Sequence, residues 1–105
     1  MMTERRTHPR VPGPFDGAWS GSSPGCRISN LSVVGCFVEC MAPGEKGARV
    51  SVAISLPEGR ITVGGEIIYK ESGMGFAVRF LDLRANMVEM LERTVSGWLP
   101  AAQLT

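Results

Sequence analysis

The chain is poor in the side chains that carry chemistry. It has one histidine, three cysteines without a C-x-x-C pair, and no evident carboxylate pair or serine–histidine context. That leaves too few ligands for a zinc site and no acid–base or nucleophilic set, so neither a metal centre nor catalysis is expected. The lone His8 sits in a proline-broken arm. An odd number of cysteines without a secretory leader argues against a disulfide framework. Cys36 and Cys40, four apart on a strand-like run, would face one side as small core or half-buried residues, and Cys26 also reads as structural. Long apolar runs are missing too. None approaches the roughly 20 residues of a membrane helix, and the N-terminus has no apolar leader core. A cytoplasmic chain without membrane insertion is expected. A net charge of +1 and an aromatic content of 7% argue against a broad basic, base-stacking face for nucleic acid.

What is plentiful is glycine (13) and proline (7), which in 105 residues means many turns and short strands. The length suits one domain with one modest core. Residues 1–14 read as a flexible basic arm, broken by Pro9, Pro12 and Pro14 and holding Arg5, Arg6 and Arg10 against Glu4 alone. From Phe15 the texture becomes strand-like: Gly17–Trp19, Cys26–Ser29 and Cys36–Cys40 are short candidates. Val50, Val52, Ile54 and Leu56 alternate with Ser51, Ala53 and Ser55, the period of a half-buried strand. A long strand runs through Ile61–Tyr69, with Gly64-Gly65 predicting a bulge, and Gly75–Phe80 is the last. Leu83, Met87, Met90 or Leu91, Val95 and Trp98 then recur at helical spacing. Asp82 is placed to cap that helix, and Gly97 and Pro100 to end it. The expected fold is mainly β: a small six-stranded antiparallel barrel with a C-terminal helix over residues 15–99, and a tail over 100–105.

Two clusters stand out against this plain background. Arg6-Thr7-His8-Pro9-Arg10 is an R-x-x-x-R pair, with Arg5 directly before it. A guanidinium presents five donors on a rigid, permanently charged plane, able to fork onto phosphate, donate to guanine or stack on a base. Asn30-Leu31-Ser32-Val33-Val34-Gly35 puts an amide, a hydroxyl and a glycine between two strands. If the segment is extended, Asn30 and Ser32 share a face and could read a base edge or a phosphate, while Gly35 would let a ligand approach closely. Each cluster alone is better explained by a basic tail and an ordinary strand-to-turn transition.

In combination they resemble the PilZ domain family. The R-x-x-x-R arm (Arg6, Arg10) is followed by a [D/N]-x-S-x-x-G motif (Asn30, Ser32, Gly35), by Gly65-Glu66-Ile67-Ile68-Tyr69, similar to that family's "geVv" strand, and by Gly75–Leu81, similar to its closing strand. The resemblance covers about residues 4–99. It implies a non-catalytic bacterial receptor for cyclic di-GMP, with no other cofactor. Arg6 and Arg10 would grip phosphates and guanine faces, and Asn30 and Ser32 would hydrogen-bond from the barrel surface. Gly35 would give room, and Arg5 would favour two stacked ligands over one. Asn30 stands where the family more often carries aspartate, and Val34 where a second glycine is frequent. The arm would fold over the ligand and present a new surface to a downstream protein. A PilZ-like adaptor acting by protein contact alone is the alternative.

Overall fold

Alternation of apolar and polar residues builds a closed wall. In the computed structural model, which describes residues 8–21, 25–41 and 44–104, the chain forms β1 (Phe15–Trp19), β2 (Cys26–Ser29), β3 (Gly35–Glu39), β4 (Arg49–Leu56), β5 (Gly59–Glu71), β6 (Gly75–Asp82) and α1 (Ala85–Leu104). The strands close into an antiparallel barrel in the order β1-β2-β3-β6-β5-β4, the fold class expected from the strand pattern. Closure leaves no unpaired sheet edge. β4 shows the logic plainly: Val50, Val52, Ile54 and Leu56 are buried, while Arg49 and Ser51 are exposed. Ile28, Val38, Val52, Ile54, Ile67 and Phe76 have no exposed surface and form the centre of the core. Burying each such side chain contributes about 1.5–3 kcal/mol. Trp19 lies inside the barrel, edge-on to Phe76 with ring centroids 4.8 Å apart, so it serves the core.

β5 is bent twice. The β5–β6 register shifts between Gly64 and Gly65, where the paired glycines predict a bulge, and again between Ile67 and Tyr69. At Gly65 the need for glycine is close approach: an added Cβ would lie 2.5 Å from Val78 Cγ1 and 2.8 Å from the Arg79 carbonyl oxygen. The second shift turns both Ile68 and Tyr69 outward, which simple alternation does not anticipate.

α1 covers the barrel with Leu91 and Val95, flanked by Leu83, Met87 and Met90. Trp98 reaches Phe15 in an edge contact at 6.1 Å. Arg93 donates two hydrogen bonds of 2.7 Å to the Glu58 carboxylate, fixing the helix to the β4–β5 turn. Two expectations for this helix are corrected. Asp82 does not cap it but ends β6, paired with Gly64, and the first turn instead closes on the Arg84 carbonyl. Nor do Gly97 and Pro100 end it, since the helix runs on to Leu104 and includes most of the expected tail. A glycine inside a helix costs about 1 kcal/mol and an interior proline about 3 kcal/mol, and the helix runs through both. No helix among the described residues is long and apolar enough to cross a membrane.

The arm also differs from expectation. It is not loose through residue 14: Val11 is 1% exposed and belongs to the core, bonded to Leu31 through both backbone groups at 2.8 Å. Pro12 follows without an N–H of its own, but Val11 keeps both backbone groups and uses them to pair. Val11→Ala should therefore destabilise the domain by about 2 kcal/mol, the loss of two buried carbons plus a residual cavity. Urea denaturation measures this, and an unchanged midpoint would remove Val11 from the core.

Candidate ligand-binding site

The Val11–Leu31 bridge sets the site. With Val11 turned into the core, its neighbour Arg10 projects outward beside the loop that joins β2 to β3. Arg10 and Asn30 line one groove of about 400 Å³, together with Val34, Gly35, Phe37, Ile68, Tyr69 and Arg79. Three of the residues singled out in the sequence, Arg10, Asn30 and Gly35, thus meet in one place. Arg5 and Arg6 lie outside the described residues.

The loop is not extended. Asn30 sits in the left-handed region at φ 49°, a conformation that asparagine tolerates better than most residues. Alternation breaks there: Asn30 is exposed, whereas Leu31 and Ser32 are both fully buried. Asn30 and Ser32 therefore do not share a face. The Ser32 hydroxyl accepts from the backbone N–H groups of Val34 at 3.1 Å and Gly35 at 3.2 Å, and lies 3.4 Å from the Gly35 carbonyl oxygen. The Ser32 N–H donates to that same carbonyl at 2.9 Å. Ser32 shapes the turn from which Asn30 and Val34 project. Gly35 is buried, and an added Cβ would collide with the Val78 carbonyl oxygen. Its glycine is demanded by β3–β6 packing.

Opposite the loop stand residues that the motif spacing does not reveal. Phe37 on β3 and Tyr69 on β5 meet over Ala77 of β6, with ring centroids 6.5 Å apart and planes tilted by 43°. Tyr69 is 49% exposed and Ile68 40%, because of the second shift in β5. Their signal in sequence was an apolar run, Ile67-Ile68-Tyr69, too continuous for simple alternation. Arg79 is exposed, as its place between Val78 and Phe80 predicts, and is held by Glu66 at 2.8 Å on the groove wall. Arg27 does not line this groove. The groove thus offers two guanidinium groups, an amide and an aromatic pair, which suits a planar, anionic ligand.

Because Ser32 holds the turn rather than facing the groove, Ser32→Ala should cost about 1–3 kcal/mol of folding stability, the penalty for leaving buried N–H groups without an acceptor. Thermal or urea unfolding reads this directly. Wild-type stability in the variant would mean that the hydroxyl's bonds do not hold the turn.

Comparison with known proteins agrees with this architecture. The family model described as the PilZ domain matches residues 4–97. No curated protein matches significantly. Among solved structures, the Bacillus subtilis inhibitor of motility (MotI/DgrA) superposes with a TM-score of 0.77 at 16% identity, covering 92% of this chain and 52% of that one. Escherichia coli YcgR in complex with c-di-GMP gives a TM-score of 0.75 at 17% identity, covering 95% of this chain and 48% of that one. The PilZ domain of the same E. coli protein, with c-di-GMP, gives 0.72 at 14% identity and 95% coverage of both chains. The chain therefore spans about half the length of the first two, and at these identities the likeness is one of fold. The family match extends over nearly the whole chain, from the arm through the helix: this protein belongs to the PilZ domain family.

Proposed function

We propose that the domain is a non-catalytic, cytoplasmic receptor for cyclic di-GMP, which it holds in the groove between Arg10 and the Asn30–Gly35 loop. The observation that carries this reading is the meeting of Arg10, Asn30, Phe37 and Tyr69 along one groove. Two of the structures that share the fold contain c-di-GMP. Arg10 and Arg6 would fork onto the phosphates, with Arg79 close by if Glu66 yields it. Phe37 and Tyr69 would stack on the bases, and the Asn30 amide would read a base edge. Ser32 would act through the turn it holds, and Gly35 through the close β3–β6 approach beneath the ligand. Arg5 would extend the cationic arm and favour two stacked ligands. The ligand would draw the segment before Val11 over the groove, and the ordered arm would present a new surface to a downstream protein.

Calorimetric titration of cyclic di-GMP into the full chain, with GMP as control, tests this. Arg10→Ala should lose about 3 kcal/mol of binding, more than roughly 100-fold, for a forked charge-assisted contact, with melting temperature nearly unchanged because Arg10 is exposed. Retained affinity would remove Arg10 from the site. Tyr69→Ala should weaken binding by about 1–3 kcal/mol, the worth of one base stacked on an aromatic ring. Equal affinity there would leave the aromatic pair without a role in recognition. Absence of wild-type binding would favour the adaptor reading.

A further inference from the structure

A second hollow, of about 480 Å³, lies beyond the Phe37–Tyr69 ridge and has the opposite charge. It shares Asn30 and the two rings with the first groove, but its other walls carry Glu39, Glu71 and Met74, and among the described residues no lysine or arginine lines it. Strand register explains the shape. Phe37 and Tyr69 both pair with Ala77 of β6, and Glu39 and Glu71 both pair with Gly75. β6 thus places its two smallest residues between two rings and then between two carboxylates. With strands about 4.8 Å apart, the Cα atoms of Glu39 and Glu71 stand about 10 Å apart, room for one side chain between them. Position 75 cannot fill the gap: its φ is 146°, and an added Cβ would collide with the Val38 carbonyl oxygen.

The carboxylates are also uncommitted. Glu45, Glu58 and Glu66 each pair with a cation, but neither Glu39 nor Glu71 makes an ion pair with a described residue. Arg27 stands opposite Glu39 on β2 without forming one. Two carboxylates facing each other across aromatic faces attract a cation and repel phosphate. No cluster of three metal-ligating side chains occurs among the described residues, and two carboxylates alone fall short of the six to eight oxygens a calcium ion takes. Met74, 61% exposed, and Tyr69 offer apolar surface to the residues flanking such a cation.

We propose that this hollow is a docking pocket for one arginine or lysine side chain, presented by an extended segment of a partner protein. The cation enters between Glu39 and Glu71 and lies against the Phe37 and Tyr69 rings. The hollow shares Asn30 and both rings with the neighbouring groove, so the titration is run without nucleotide.

The test uses the full chain, ¹⁵N-labelled, titrated with acetyl-Gly-Arg-Gly-amide and with the same peptide carrying neutral citrulline. Saturable amide shifts should cluster at Glu39, Glu71, Gly73 and Met74. Binding should weaken roughly fivefold or more with citrulline, and likewise in Glu71→Gln and Glu39→Gln, whose exposed positions leave the fold intact. Shifts spread over the barrel, no saturable shifts at all, equal response to citrulline, or wild-type response in both variants would overturn the proposal. Binding seen only after Arg5 and Arg6 are replaced by alanine would overturn it too, by making the chain's own arm the occupant.

Discussion

Two backbone hydrogen bonds between Val11 and Leu31 tie the start of the chain to the loop between β2 and β3, and the rest of the site hangs on them. They bury the Val11 side chain, and strand geometry then throws Arg10 to the outside, over the groove. Leu31 is buried by the same pairing, so the left-handed turn at Asn30 is fixed from both sides. Ser32 completes the lock with a hydroxyl spent on two N–H groups of its own loop. A cationic side chain and a polar loop that are distant in sequence are thus held together by main-chain bonds, before any ligand contributes.

The barrel supplies the other wall by leaving things out. Gly75 and Ala77 on β6 carry almost no side chain, so their neighbours on β3 and β5 rise around them as a ridge of two rings and a pair of carboxylates. Glycine at 35, 65 and 75 lets β3, β5 and β6 approach closely enough for this, since a Cβ at any of the three would strike a neighbouring strand. The surface is thereby divided by charge. Arg10 and Arg79 lie on one side of the aromatic ridge, Glu39 and Glu71 on the other. An anion is drawn to the first hollow and turned away from the second.

The elements that repeat were readable from sequence, and those that depend on a single residue were not. β4 declares itself by four alternating apolar residues, the bulge in β5 by paired glycines, and the helix by its spacing from Leu83 to Trp98. Val11 is one apolar residue among prolines and carries no period, so its burial becomes visible only when Leu31 is placed opposite. The same holds for Asn30: an extended reading puts Ser32 on its face, and one left-handed residue reverses that. Ile68 and Tyr69 come out together because β5 slips past β6, a property of the pairing rather than of β5 alone. Asp82 and the Gly97–Pro100 segment carry ordinary boundary signals that tertiary pairing and helix continuation override.

The most direct measurement is a crystal structure of the full chain grown with cyclic di-GMP. The predicted result is ligand in the Arg10 groove, with phosphate oxygens within hydrogen-bond distance of the Arg10 guanidinium, a base against Tyr69, and the Val11–Leu31 bridge unbroken. Ligand bound elsewhere on the barrel, or seated only after Val11 has left the core, would contradict it.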